Sequence, residues 1–475
     1  MNRLRRSAAP ARRARVVAAV AAALIGLASG QARGQQVPQS VPLTLRGVPT
    51  GSVRPEPVTL TLADAIDRGL KQNLAAILEE QRLRDAQSTR LEALSELLPH
   101  VSAYARQSEQ KISTAAFGFN FPGIPTVIGP FGVFDSRLAL TTPIFDARAL
   151  SGFRAGRALE RAGRADLREV RETIVLAVGN VYLEAVADAA RVESAQAQVA
   201  TAETLVGLAG DQKSAGLVAG IDVVRQQVQL QSARQRLIAA QNTLDKRKLA
   251  LARAIGLPSG QAFTLASETQ FRAAPPMTID QAVAEATTSR QDVQAAQARV
   301  DAARFAKQAQ MASRLPSLHL DADLGVVGTS ASNTDKVYTV AATVRVPIFE
   351  GGETKARVQR ADTELKTREA ELADITGSVR YDVEGALLDI KAADAGVGVA
   401  DGARTLARQE LDQAQDRFKA GVASTLELVQ AQEAVASASE QYIASVYAHA
   451  IAKGELAKAI GQVEQRFVAL VGGAQ

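Results

Sequence analysis

The second half of this 475-residue chain repeats the first, and what repeats is a strand hairpin set between long helical segments. Thr61 recurs as Thr278 and Pro99 as Pro316, both at a spacing of 217. Pro143-Ile144-Phe145 then returns as Pro347-Ile348-Phe349 at 204, so the first copy carries 13 extra residues between Pro99 and Pro143. Beyond that point the register holds at 205, where AGLVAGIDV from Ala215 answers AGVASTLEL from Ala420, and LARAIGLP from Leu251 answers LAKAIGQV from Leu456. Two copies of a unit that cannot bury its apolar face alone imply one pseudo-symmetric assembly rather than two independent domains. The repeats are expected over 59–260, with a hairpin at 99–146, and over 277–465, with a hairpin at 316–349. A Pro-rich segment 35–58, a linker 261–276 and a tail 466–475 complete the division.

The first 34 residues read as a secretory signal peptide: six arginines between positions 3 and 15, an uncharged run from Val16 to Leu27, then small residues. The apolar run is about 12 residues, short of the roughly 20 a membrane helix needs, and no other stretch qualifies as a spanning helix. Removing 1–34 strips seven arginines and no acids, taking the formal charge from +5 to −2. The basicity is thus a targeting feature, and it gives no reason to expect nucleic acid as a partner. Cysteine is absent, which excludes disulfides, thiol catalysis and an N-terminal lipid on cysteine. With three histidines, no clustered acids at ligand spacing and no nucleophile beside a base, no metal, cofactor or catalytic site is expected, and the chain does not read as an enzyme.

The helical segments are longer than a globule can use. From Ala147 to about Gly210 there is no proline, and Leu167, Val170, Ile174, Ala177 and Val181 keep the spacing of one helical face. Such a segment of about 64 residues spans roughly 95 Å, and Gly351 to about Lys419 matches it. Shorter helices are expected near 61–97, 221–255, 278–315 and 424–460, each about half as long. Stacked end to end, two of them equal one long helix, which suggests a column of antiparallel helices. Leu230, Leu237, Leu244 and Leu251 stand seven apart, as in a coiled coil, and His449 falls in the equivalent seam of the second copy, where it reads as a packed histidine.

The strands carry a different message. After Pro316, apolar Leu318, Leu320, Ala322, Leu324 and Val326 alternate strictly with polar or small residues, Asp321 and Asp323 among them. Tyr338 to Val346 alternates likewise, whereas Val101–Gln107 and Phe134–Thr142 of the first copy do so less cleanly. Each run is about the 9–11 residues that cross a bilayer as a tilted strand. Phe117, Phe119, Phe121, Phe131, Phe134 and Phe145 cluster there in a chain with only 4% aromatics, as an interfacial belt would. Residues Phe117–Gly132, rich in proline and glycine, read as an extracellular loop. Four strands cannot close a barrel and an open edge is not tolerated in lipid, so the chain must oligomerise.

The repeat, the opening LTLADAI at Leu60, the two Pro-Ile-Phe strand ends and the turn AGLVAGIDV together resemble the TolC family of outer membrane efflux proteins. The resemblance covers about residues 58–465. It implies a mainly α fold with a membrane β-barrel portion: a long antiparallel α-helical barrel continued by a transmembrane β-barrel, two internal repeats per chain and four strands per protomer. It further implies a homotrimer in the outer membrane of a Gram-negative bacterium, extending into the periplasm. The expected partners are a periplasmic adaptor (membrane fusion) protein, an inner membrane pump of RND or ABC type, and outer membrane lipid. The function implied is the exit duct of a tripartite efflux or type I secretion system. The competing reading is a structural periplasmic coiled coil without a pore, which leaves the alternating strands unexplained.

On the same resemblance, the turns at Ala215–Gly220 and Ala420–Ser424 form the periplasmic tip, with Gly216, Leu217, Val218, Gly421 and Val422 as adaptor-docking candidates. The family's lock of inter-helix polar contacts maps onto Asp222, and its acidic ring onto Glu427. The pattern departs elsewhere: the lock's aromatic hydroxyl position holds Phe418, its arginine position Ala423, and its second acid Gln430. A lock built instead on Arg225 with Asp222 or Glu427 is expected.

Overall fold

The computed structural model describes residues 42–118, 125–266, 272–273 and 276–471. The expected signal peptide lies outside these residues, as do 119–124 of the expected loop, part of the linker and 472–475. Helices α1 (Leu62–Gln72), α2 (Leu74–Ser95), α3 (Ala147–Ser214) and α4 (Gly220–Ala254) have 11, 22, 68 and 35 residues. Helices α5 (Ile279–Ser289), α6 (Gln291–Ala312), α7 (Glu353–Lys419) and α8 (Thr425–Ala459) have 11, 22, 67 and 35. At 1.5 Å per residue α3 is about 100 Å long.

Two expected helices, 61–97 and 278–315, are each broken near their start. Asn73 is fully buried and extended (φ −73°, ψ 132°); its Oδ1 accepts from the Ala75 N–H at 2.9 Å, and its Nδ2 donates to the Thr44 carbonyl at 2.6 Å. An asparagine that caps a new helix competes with continuation of the old one. The second break falls at Arg290, 217 residues on, where the guanidinium is held at 2.7 Å by both Asp292 and Asp382.

α3 lies between α2 and α6 along one half of its length and between α4 and α8 along the other, with α7 on the far side of α6 and α8. Thus α7 borders one edge of the row, and α2 with α4 the other. One window of α3 has the length and mean hydropathy (1.4) of a membrane span, contrary to expectation, but 67% of it is buried inside the protein. Of the expected leucine seam, Leu230 and Leu251 are buried, while Leu237 and Leu244 are half-buried. His449 is buried, with Nε2 2.8 Å from Asp394 Oδ1, and burial together with Lys453 pushes its pKa down.

Residues 466–475 are not a tail as expected: they begin inside helix α9 (Val463–Val471). Phe467 is fully buried against Gly179 of α3 and Gly454 of α8, where an added Cβ on either glycine would overlap the ring. The expected linker and Pro-rich segment likewise contain structure, since β1 (Val58–Leu60) pairs in parallel with β4 (Phe263–Leu265). The buried Tyr182 hydroxyl donates to the Leu60 carbonyl at 3.0 Å and ties this ribbon to α3.

The hairpin strands are β2 (His100–Ser113), β3 (Val127–Phe145), β5 (Ser317–Ser330) and β6 (Asn333–Arg345), joined in the antiparallel order β2-β3-β5-β6. They exceed the expected lengths, and Val127–Gly132 of the expected loop belong to β3. A register shift between Gln110 and Ile112 accommodates Pro130, whose missing N–H is not needed in a bulge. Alternation gives Leu138, Leu140, Leu320, Leu324, Val340 and Val344 to one face, with Leu324 63% and Val340 67% exposed. The opposite face is polar: Arg137 lies 2.7 Å from Asp135 and 2.8 Å from Asp323, and Thr141 donates to Asp321 at 3.0 Å. Gly325, opposite Arg137, leaves room for that guanidinium to lie across the strands. Phe131 and Phe134 fall on opposite faces, so the aromatic cluster does not form the expected single belt.

Seating Phe467 between two glycines makes a sharp expectation. Phe467→Ala removes a fully buried ring, a change that costs about 3–5 kcal/mol in a well-packed core. Limited proteolysis should cut within 463–471 in this variant and in Gly179→Leu, and not in the parent; equal resistance would show that α9 does not depend on this seat.

Candidate gate and docking tip

Both helix reversals lie at one end of α3 and α7, and one apolar cluster joins them. Leu205 and Ala209 of α3, Ala414 and Phe418 of α7, and Leu428 and Ala431 of α8 are its buried members. Each reversal is a matched Schellman turn. Leu217 N–H donates to the Gln212 carbonyl at 2.9 Å and Val422 N–H to the Arg417 carbonyl at 2.9 Å. Gly216 and Gly421 both adopt φ +75°, a left-handed conformation that costs a side-chain-bearing residue energy.

The docking candidates divide by exposure. Leu217 and Val422 project from the turns at 67% and 69% exposure, whereas Val218 packs against the apolar cluster. Among the gate candidates, Asp222 accepts from the Ala219 N–H at 3.3 Å and lies 3.1 Å from Arg225, so it caps its own helix and pairs within it. Arg225 does not reach Glu427. The Glu427 carboxylate lies 3.4 Å from Arg417 Nε, and its backbone N–H donates to Ser424 Oγ at 3.3 Å. Phe418 is 1% exposed and serves as the cluster's largest side chain, so it is not free to act in a surface lock. Gln430 is exposed.

Three residues absent from the sequence reading complete the tip. Arg417 supplies the partner of Glu427 from the last turn of α7. Gln212, its counterpart at the 205-residue register, donates to the Phe418 carbonyl at 2.8 Å and links α3 to the end of α7. Gln226 is fully buried with neither amide atom hydrogen-bonded. The 205 register was the available signal for Arg417 and Gln212, because it places both one step before the matched turns; nothing in the sequence marks Gln226.

A helix row of this length continued by a two-faced sheet is the architecture of an outer membrane channel protomer. The chain belongs to the outer membrane efflux protein family, whose model matches residues 69–257 and 282–462. It is 25% identical over 390 residues to the pyoverdine export outer membrane protein OpmQ of Pseudomonas aeruginosa, covering 80% of each chain. It is also 25% identical over 346 residues to the alkaline protease secretion protein AprF of the same species, covering 71% of each. Among solved structures, the outer membrane protein VceC of Vibrio cholerae superposes with a TM-score of 0.72 at 18% identity, covering 84% of this chain and 96% of that one.

The orphaned amide of Gln226 loads the tip. A buried polar group without a partner costs about 1–3 kcal/mol, and replacing it with an apolar group of similar shape removes that cost. Gln226→Leu should therefore raise the thermal midpoint, whereas Gln212→Leu, which strips a made bond, should lower it. Differential scanning calorimetry separates the two, and a fall for both would show that the Gln226 amide is satisfied in solution.

Proposed function

We propose that the chain is the outer membrane exit duct of a tripartite efflux or type I secretion system, working as a homotrimer. The observation that carries this reading is the four-stranded sheet, apolar and exposed on one face, ion-paired on the other, and unpaired at both edges among the described residues. A sheet apolar outside and polar inside is what a barrel presents to lipid and lumen. Its open edges cannot stand in hydrocarbon, where each unsatisfied backbone group costs several kcal/mol. Pairing β6 of one copy with β2 of the next satisfies them, and three copies give twelve strands, built on the two-repeat plan of each chain.

The helices support the same closure. On α7, Tyr381, Leu388, Val399 and Leu406 are exposed at intervals of seven and eleven residues, a straight apolar seam. At the other edge of the row, α4 exposes Ile221, Val224, Val228, Ile238 and Leu249. Because α7 follows β6 and α2 precedes β2, one rotation joins both the strands and the helical seams of neighbouring copies. A structural coiled coil without a pore would leave the apolar sheet face in water.

In this reading an inner membrane pump and a periplasmic adaptor deliver cargo to the tip, where Leu217 and Val422 beside Gly216 and Gly421 form the docking knobs. The family members OpmQ and AprF carry names of pyoverdine export and alkaline protease secretion, and both uses fit an open duct. Arg417 with Glu427, which joins α7 to α8 across the turn, stands in place of the family's lock, whereas Arg225 with Asp222 lies within α4 alone.

The chain has no cysteine, so cysteines introduced on β2 and β6 are the only thiols present. Ala103→Cys with Val340→Cys, screened with neighbouring register pairs, should give a covalent trimer on oxidation, and the solubilised protein should have three times the protomer mass. Monomer or dimer would end the barrel assignment. For the gate, Glu427→Ala should weaken divalent-cation block of single channels in planar bilayers, and Arg417→Gln should raise open probability several-fold; unchanged block and gating would remove both residues from the constriction.

A further inference from the structure

Beyond the tip cluster, α3, α4, α7 and α8 draw apart around a cavity of about 500 Å³. Small side chains make the space: Ala190, Ala197 and Ala202 on α3, and Ala233 on α4. Three arginines line it, Arg236 from α4 and Arg404 and Arg408 from α7, against one lining acid, Glu193. Arg236 lies 3.3 Å from Glu433 and Arg404 lies 2.6 Å from Asp401, while Arg408 makes no ion pair among the described residues. The Nε of Arg236, the Nε of Arg404 and the Oε1 of Gln432 are buried without hydrogen-bond partners. Two ion-paired arginines and the exposed, unpaired Arg408 thus border one space.

A second cavity of about 640 Å³ shares Ala190, Glu193, Arg404, Tyr442 and Ile443 with the first and is otherwise walled largely by Leu183, Val186, Val446 and Tyr447. The border is the Arg404 guanidinium, stacked 3.6 Å from the centroid of the Tyr442 ring. One chamber is lined by arginines and the next is apolar and aromatic.

We propose that this double chamber binds an amphipathic organic anion, with its charged head among Arg404, Arg408 and Arg236 and its apolar body against Leu183, Val186 and Val446. Guanidinium forks match the paired oxygens of a carboxylate or sulfonate, and the stacked Tyr442 fixes one fork in place. A bare inorganic anion would leave the apolar chamber unused, and a neutral apolar molecule would leave Arg408 without a counter-charge. Both chambers are lined by one protomer, so the site goes beyond the duct reading and stands whatever the number of copies.

The probe is 1-naphthalenesulfonate, titrated calorimetrically into the full chain in lipid nanodiscs, with protein-free nanodiscs as the baseline. One saturable site per protomer is expected. Naphthalene-1-methanol, with the same body and no charge, and sulfate, with the charge and no body, should each bind at least tenfold more weakly. Arg408→Gln should weaken the sulfonate at least tenfold without moving the thermal midpoint, since Arg408 holds no internal partner. Val446→Gln, at the apolar end, should weaken the sulfonate while leaving sulfate unchanged. Absence of a saturable site, equal affinity for the neutral alcohol, or indifference to Arg408→Gln would each overturn the assignment.

Discussion

The constraint from which the rest follows is the hydrogen-bonding demand of the backbone in β2 and β6. Within a protomer each has one paired edge and one bare edge. In water a bare edge is an aggregation hazard, whereas in lipid it is untenable, so a sheet with this exposed apolar face calls for neighbours that complete it. The same demand sets the order of the helical row, because α2 feeds β2 and α7 leaves β6. In the proposed closure the rotation that satisfies the strands carries α7 toward α4, and the exposed seams on those helices are what such a meeting would cover. Lateral closure of the sheet and of the helices is one geometric condition.

Much of this could be read from the sequence because period two and period 3.6 are strong signals over long runs. The α3 and α7 segments and the β5 and β6 alternation were visible for that reason, and the paired turns at Gly216 and Gly421 through the 205-residue repeat. What escaped was set by single side chains acting across the fold. Asn73 breaks a helix because its amide finds the Thr44 carbonyl some 29 residues away, and no local pattern announces such a partner. α9 looked like a tail because its nine residues make sense only with Gly179 and Gly454 in view. The strand at Val127–Gly132 was hidden by prolines and glycines whose turn signal is overridden by a bulge opposite Gln110–Ile112.

At the tip, sequence alone identified positions better than partners. Asp222 and Glu427 are equivalent by register, yet their charges are balanced differently: Asp222 looks along its own helix to Arg225, and Glu427 looks across the turn to Arg417. The asymmetry follows from two exchanges between the repeats, Arg225 against Gln430 and Gln212 against Arg417. Where α7 ends with Arg417, α3 carries Gln212, whose amide turns inward to the Phe418 carbonyl instead of outward to an acid. The two halves of the tip are thus held by unlike bonds, one salt-sensitive and the other shielded from solvent.

Phe467 gives the chain an order of assembly. The ring that completes the packing between α3 and α8 sits in α9, while Gly179, which receives it, is made nearly 300 residues earlier. N-terminal segments can form helix early, but the middle of α3 has a gap until α9 arrives. A chain stalled before Phe467 therefore keeps a solvent-open slot at Gly179. Synthesis of α9 is registered in the core of the longest helix among the described residues.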